Sequence, residues 1–243
     1  MPESDPLNDR LNQQLKQRLQ QVQARIDAAC RACDRAPGSV RLLAVSKTRG
    51  SDEVRAMHEL GVDAFGENYV DEAVAKQDAL GGRQPEWHFI GPVQSNKTRT
   101  LAERFDWVES VDRIKIARRL ADQRPADRGP LNVLIQVNID EEAQKSGCAP
   151  DDVVELAADV IQRPSLILRG LMTIPAATGS PDDARPAFAR LRGLLDRLRE
   201  EFPERRAELD TLSMGMSADL EAAIREGATL VRVGTGLFGP RHG

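Results

Sequence analysis

The chain has few of the residues that build disulfide frameworks, membrane spans or basic surfaces. Its 243 residues include three cysteines, one tyrosine and only 4% aromatic residues. Three cysteines exclude a disulfide framework, and no apolar run approaches the roughly 18 residues that span a bilayer. The net charge is −4, which argues against non-specific nucleic-acid binding because that depends on a basic surface. The N-terminus has no basic segment followed by an apolar one, so we expect no signal peptide and a cytoplasmic location.

The apolar pattern predicts one long helix followed by eight alternating strands and helices. Residues 6–33 carry apolar side chains three or four positions apart, which is typical of an amphipathic helix. Beyond residue 40, runs that are apolar on both faces alternate with helical periodicity, as a covered parallel sheet requires. We therefore expect an α/β fold, a (β/α)8 TIM-type barrel over residues 40–236 in a single domain spanning 1–243. A doubly wound open sheet is the alternative.

The boundaries of these elements follow from the same pattern. The predicted strands are Arg41–Ser46, Val62–Phe65, Trp87–Ile90, Trp107–Glu109, Asn132–Asn138, Ile167–Met172, Leu212–Met214 and Leu230–Val233. The predicted helices between them lie near residues 52–60, 69–80, 94–104, 113–123, 151–162, 184–202 and 218–226. In such a barrel the active site lies at the C-terminal ends of the strands, so the polar residues that follow each strand are the candidates for function.

Lysine is scarce, and one lysine is placed for chemistry. Of the 34 basic residues six are lysines, and Lys47 alone directly follows an apolar strand; Lys76 falls in a helical stretch. A partly desolvated lysine at a barrel mouth has its pKa lowered toward neutrality, and its free amine attacks a carbonyl to form an imine. The alternative is a lysine whose stem follows the strand end while its ammonium group stays in solvent.

Two glycine-containing segments follow the last two predicted strands. Loops at these positions form the recurrent phosphate site of TIM barrels, and glycine lets backbone amides approach an anion closely. Ser217 is placed where its hydroxyl and a helix N-terminus face a phosphate, and Thr235 adds a donor. Arg232 meets a heteroaromatic nitrogen or the phosphate, or pairs with a carboxylate. The segments are Ser213-Met214-Gly215-Met216-Ser217 and Arg232-Val233-Gly234-Thr235-Gly236.

Other polar residues near strand ends have two interpretations each. Asn68 offers a donor and an acceptor at the barrel mouth, or it caps the following helix. Lys97 lies in the first turn of a predicted helix, where a positive charge interacts unfavourably with the helix dipole. This position indicates contact with an anion or a partner; the alternative is a solvated lysine. His88 is typical of a hydrogen-bonded core histidine. Cys30 and Cys33 lie within a helix without a second pair, so we expect no metal site.

Together the candidate site residues indicate a single ligand. A phosphate would lie at strands seven and eight and a carbonyl would reach Lys47 on strand one, which neighbours strand eight in a closed barrel. Pyridoxal 5′-phosphate has this layout, with an aldehyde and a phosphate flanking a pyridine ring.

Seven segments between residues 40 and 240 resemble, in order, the pyridoxal phosphate homeostasis proteins, a family related to the N-terminal barrel of alanine racemase. The resemblance implies a fold-type III barrel, pyridoxal phosphate held as an imine on Lys47, and phosphate contacts from Ser213–Ser217 and Gly234-Thr235. It also implies a small cytoplasmic protein without a firmly assigned catalytic activity that buffers the cofactor or delivers it to apo-enzymes. The segments are LLAVSKT, FGENYVDEA, WHFIGPVQSNK, QVNIDEEAQKSG, RGLMTIP, LSMGMSADLEAAI and VRVGTGLFG.

The chain also departs from alanine racemase, which has a second, β-rich domain, works as a dimer and supplies a tyrosine as second base. Here Tyr69 and His88 are the only loose candidates for that base, and racemisation normally needs two. We therefore expect a monomeric homeostasis protein. A pyridoxal-phosphate-dependent racemase or lyase is the alternative, and a Schiff-base aldolase acting on a phosphosugar is a third hypothesis.

Overall fold

Eight parallel strands close into a barrel in chain order in the computed structural model of the chain, which describes residues 6–82, 84–142, 144–176 and 179–240. The predicted barrel is confirmed and the open sheet is wrong, because β8 returns to pair with β1 from Arg41↔Leu230 to Ala44↔Val233. The strands are β1 Arg41–Val45, β2 Ala64–Glu67, β3 Glu86–Phe89, β4 Trp107–Val111, β5 Leu131–Gln136, β6 Leu166–Met172, β7 Thr211–Ser213 and β8 Leu230–Val233.

Helices surround this barrel. They are α1 Pro6–Arg31, α2 Ser51–Glu59, α3 Val70–Leu80, α4 Thr98–Arg104, α5 Ile114–Gln123, α6 Val153–Ile161, α7 Arg185–Glu201, α8 Leu220–Arg225 and α9 Thr235–Phe238. The largest apolar cluster includes residues of both helices and strands, so the main core lies between the barrel and its helices. None of the described helices is both long enough and apolar enough to cross a membrane.

The N-terminal helix α1 packs outside the barrel against α8 and α9. Leu15, Val22, Ile26 and Ala29 of the expected apolar stripe are buried, at spacings of seven, four and three. Because α8 and α9 follow β7 and β8, α1 supports the loops that were predicted to bind phosphate.

Several element boundaries differ from the sequence-based prediction, and charged residues within strands account for two of the differences. Strand β3 begins at Glu86 and β4 continues beyond Glu109 to Val111, although the apolar pattern stops at charged residues. Both carboxylates contact the buried His88, which accommodates Glu109 without solvent and Glu86 with its side chain partly exposed. The helix predicted near residue 94 begins only at Thr98, after a turn in which the Lys97 amide bonds to the Gln94 carbonyl at 3.0 Å.

Candidate functional site

A cavity of about 310 Å³ lies at the C-terminal end of the barrel and contains most of the predicted site residues. Its size is at the lower end of the roughly 300–1,000 Å³ found for small-molecule pockets. The cavity is lined by Val45, Lys47, Asn68, Ile90, Ile174, Met216, Ser217, Ala218, Arg232, Gly234 and Thr235. An amine, an amide, a guanidinium group and two hydroxyls therefore share one small cavity.

Lys47 lies in a tight turn directly after β1. The Arg49 amide donates to the Ser46 carbonyl at 3.0 Å, which closes the four-residue turn. Thr48, at its third position, has φ +65°, a left-handed conformation that β-branched residues rarely adopt. The Arg49 side chain ties the turn to the last described residues, since its Nη2 donates to the Gly239 carbonyl at 2.5 Å and to the Pro240 carbonyl at 3.1 Å. The turn is strained and is held from several sides.

The two loops predicted to bind phosphate contact each other. Ser217 Oγ accepts a hydrogen bond from the Gly236 amide at 3.3 Å, which joins the loop after β7 to α9 after β8. Arg25 of α1 donates to the Ser217 carbonyl at 3.0 Å and forms a bidentate pair with Glu221 at 2.7 and 2.9 Å. The N-terminal helix thus fixes the backbone at Ser217, a role that its sequence did not indicate.

Arg232 lines the cavity and continues into the barrel interior. Its side chain is buried, with Nη1 donating to Ser213 Oγ at 2.7 Å and Nη2 donating to the Thr173 carbonyl at 2.8 Å. Burial lowers the pKa of Arg232, and the charges of Glu109 and Asp219 oppose this effect. The guanidinium group is therefore held in one orientation.

A line of polar groups, buried except for its last member Glu86, runs from Arg232 toward the opposite end of the barrel. Ser213 Oγ donates to Glu109 Oε2 at 2.5 Å, Glu109 Oε1 lies 2.6 Å from His88 Nδ1, and His88 Nε2 lies 2.7 Å from Glu86 Oε1. We call these five residues, Arg232, Ser213, Glu109, His88 and Glu86, the axial chain. Burial alone would lower the pKa of His88, but hydrogen bonds and charges from Glu109 and Glu86 raise it above its usual value.

Asn68 lies at the mouth of the cavity and does not cap α3. The cap position is occupied by Tyr69 without a side-chain cap bond, so that interpretation of Asn68 is wrong. Asn68 Oδ1 is buried and has no hydrogen-bond partner, which leaves an acceptor for a ligand. Gly91 packs against this residue so closely that a Cβ there would lie 2.4 Å from the Asn68 carbonyl oxygen.

The remaining candidates lie outside the cavity wall. Ser213 lies in the axial chain and Met214 is fully buried in the main core, so neither lines the cavity. Lys97 pairs with Asp71 at 2.7 Å beside a neighbouring cavity of about 320 Å³. Tyr69 lines this neighbouring cavity too and is 58% exposed.

Comparisons with known proteins agree with this arrangement. The family described as alanine racemase, N-terminal domain, matches residues 17–242. A pyridoxal phosphate homeostasis protein of Pseudomonas aeruginosa is 57% identical over 213 residues, which cover 88% of this chain and 90% of that protein.

Solved structures with a fold similar to that of this chain include the following two. PipY of Synechococcus elongatus, solved with pyridoxal phosphate bound, superposes with a TM-score of 0.78 at 35% identity, covering 93% of this chain and 100% of that chain. Alanine racemase of Corynebacterium glutamicum superposes with a TM-score of 0.69 at 16% identity, covering 96% of this chain and 62% of that chain. At that identity the racemase shows the shared barrel alone.

Proposed function

The chain belongs to the alanine racemase N-terminal domain family and, within it, to the pyridoxal phosphate homeostasis proteins, and from this we propose that it binds pyridoxal 5′-phosphate reversibly through Lys47. The observation that carries the proposal is the placement of Lys47, Ser217, Arg232 and Thr235 around one cavity. The chemistry of this set fits the cofactor, which supplies a reactive aldehyde when bound.

Each side chain has a distinct role in this proposal. Lys47 Nζ forms a C=N bond to the aldehyde carbon, and the aldehyde oxygen leaves as water. The hydroxyls of Ser217 and Thr235 donate to the phosphate at the loops after β7 and β8. The orphaned Asn68 Oδ1 accepts a hydrogen bond from the cofactor's polar edge, and Arg232 orients the ring.

The lining of the cavity favours a carrier over a racemase. Among the described residues that line it there is no histidine, tyrosine, cysteine, aspartate or glutamate. His88 is fully buried between Glu86 and Glu109 and does not line the cavity, so it is not placed to act there as a second base. An arginine at the ring nitrogen would keep the pyridine neutral and weaken it as an electron sink.

The surface around the mouth supports transfer to apo-enzymes. The large apolar side chains that are well exposed in the described chain are Tyr69, Ile174 and Met216. They follow β2, β6 and β7, so all three lie at the end of the barrel that holds Lys47. We propose that the protein acts as a monomer in the cytoplasm and that recipient enzymes contact this rim.

The test is the absorbance spectrum of the purified protein after addition of pyridoxal phosphate, followed by borohydride reduction and peptide mapping. We expect a visible imine band that reduction abolishes and a stable label on Lys47. Lys47→Ala should lose both, whereas Lys97→Ala, a matched lysine at the same end of the barrel, should keep them. Persistence of the label in Lys47→Ala would overturn the assignment.

A further inference from the structure

A second lysine, Lys76 of α3, lies directly behind the turn that carries Lys47. Lys76 is 4% exposed, although the sequence pattern indicated only a helical lysine. Its Nζ donates to the Ser46 carbonyl at 2.7 Å, to Glu67 Oε1 at 2.6 Å and to Glu72 Oε1 at 2.6 Å. One buried ammonium group thus uses three donors on three different elements: the turn, β2 and α3.

The two carboxylates around Lys76 also bind the turn. Ser46 Oγ donates to Glu67 Oε1 at 2.6 Å, and the Thr48 amide donates to Glu72 Oε1 at 2.6 Å. We call Glu67, Glu72 and Lys76 the Lys76 cluster. Lys47 therefore lies between two residues, Ser46 and Thr48, whose main chain the cluster holds.

The turn requires such support. Thr48 has a positive φ, and a conformation of this kind costs about 1–3 kcal/mol and persists only where surrounding contacts enforce it. The Thr48 amide and the Ser46 carbonyl are the groups that would reorient if the turn relaxed. The cluster binds both, so it enforces the strained conformation.

The support that the Lys76 cluster gives to the turn depends on the positive charge of Lys76. Glu67 is fully buried, and its Oε2 has no hydrogen-bond partner. Burial raises the pKa of Glu67 more than the nearby Lys76 lowers it. Removal of the ammonium group would leave buried carboxylate oxygens without their cation, which is a strongly unfavourable arrangement.

We propose that Lys76 is a positioning residue that holds the Ser46–Arg49 turn so that Lys47 reaches the cavity. The role of Lys47 itself rests on the function proposed above. A reacting amine that is displaced by about 1 Å loses up to about 100-fold in rate, so the effect falls on bond formation rather than on cofactor recognition.

The test compares two ligands on Lys76→Met. Pyridoxal 5′-phosphate bonds to Lys47, whereas pyridoxine 5′-phosphate has no aldehyde and reports recognition alone. We expect imine formation to slow by about tenfold or more, while the affinity for pyridoxine phosphate stays within about twofold of wild type, a difference of under 0.5 kcal/mol. Equal losses for both ligands would mean a general structural defect, and no loss for either would mean that Lys76 does not position Lys47. Both results overturn the proposal.

A second variant, Glu72→Ala, tests the same proposal if Lys76→Met does not fold. Glu72 is 28% exposed, and Glu72→Ala removes the anchor of the Thr48 amide while Lys76 keeps Glu67 and Ser46. We expect the same selective slowing, of smaller size. Arg169→Met is the matched control for Lys76→Met, because it removes a partly buried cation, bonded to Asn132 and Asp210, whose contacts do not reach the turn.

Hydrogen exchange separates this inference from the proposed function. In the cofactor-free protein we expect faster exchange at the Thr48 and Arg49 amides in Lys76→Met than in wild type, whichever ligand the cavity takes. If wild type fails to react with pyridoxal phosphate but the exchange difference is present, the proposed function fails and the positioning role stands. Unchanged exchange overturns the positioning role.

Discussion

His88 Nδ1 lies 2.6 Å from Glu109 Oε1 inside the barrel, and both side chains are fully buried. The other ring nitrogen lies 2.7 Å from Glu86 Oε1. Burial opposes a charge on His88, but because both ring nitrogens face carboxylate oxygens, the hydrogen bonds and charges of Glu109 and Glu86 raise its pKa and favour the imidazolium form. The interior of this barrel is therefore held together partly by charge.

We predict that this contact makes the stability of the protein fall as the pH rises above neutrality. The pKa of His88 is raised on folding, so its contribution to the free energy of unfolding is fully present below its usual value of about 6.5 and is lost as the pH rises through the folded value. Urea unfolding of the cofactor-free protein on both sides of neutral pH measures this slope. His88→Gln should flatten it, and equal slopes in the two proteins would contradict the assignment.

Glu86 should give the opposite pH dependence, so that the stability of the protein falls as the pH is lowered. Burial raises the pKa of Glu86, but the hydrogen bond and charge of His88 and the charge of Arg41 together lower it to about 2. Its contribution is present above the ordinary glutamate value of 4.5 and is lost as the pH falls toward 2. Glu86→Gln should reduce the loss of stability in this acid range, measured in the same way.

Removal of Glu109 should destabilise the protein severely. Glu109→Ala leaves His88 and Ser213 without their buried partner, and loss of one member of a buried pair costs about 3–5 kcal/mol. Glu103→Ala is the control, because its pair with Arg99 is long, at 3.6 Å, and exposed. Exposed pairs are worth about 0–1 kcal/mol, so similar losses of unfolding free energy in the two variants would refute a buried axial chain.

Arg232→Met should weaken the binding of pyridoxal and of pyridoxal phosphate by similar factors. The guanidinium group is fixed to Ser213 and Thr173 below the cavity, so we expect it to contact the ring rather than the phosphate. Loss of a charged hydrogen bond corresponds to about 10-fold to 100-fold in affinity. Titration with the two ligands shows which part of the cofactor Arg232 contacts, since a loss of affinity confined to pyridoxal phosphate would place Arg232 at the phosphate.

Gly91→Ala should displace Asn68. The added Cβ would lie 2.4 and 2.8 Å from the carbonyl oxygen and Cα of Asn68, and backbone atoms cannot rotate away. We expect a loss of about 1–3 kcal/mol from overpacking and weaker cofactor binding. Gly193→Ala in α7 is the control, because nothing lies within 4 Å of its added Cβ; it should stabilise the protein slightly. Unchanged cofactor affinity in Gly91→Ala would remove Asn68 from the site.

The strand order and the position of Lys47 could be predicted because both depend on local patterns. Strand β8 has the predicted bounds, Leu230–Val233, because Gly234 ends a short run in which three of the four residues are apolar. Lys47 was identifiable because it follows an apolar run directly. The residues that follow β7 and β8 were identifiable because a barrel brings the ends of its strands together.

The supporting contacts could not be predicted, because each joins distant segments through charges that the sequence pattern assigns to the surface. Glu109 contacts Ser213, 104 residues away, and Lys76 contacts Ser46, 30 residues away. A glutamate within a strand that is apolar on both faces was the available signal, but the sequence did not indicate its partner. The positive φ of Thr48 occurs in a turn whose contact with Glu72 the sequence pattern did not indicate.

The pairing of β1 with β8 also means that the candidate site is complete only when the barrel closes during folding. Lys47 follows the first strand and Gly234 and Thr235 follow the last, so the two halves of the site meet only when the ring of strands is complete. A partly folded chain has the amine without the loops that we propose to bind phosphate. Any ligand that needs both then binds the native state alone and stabilises it by mass action. The yellow colour of a bound aldehyde would thereby report that the last strand has docked.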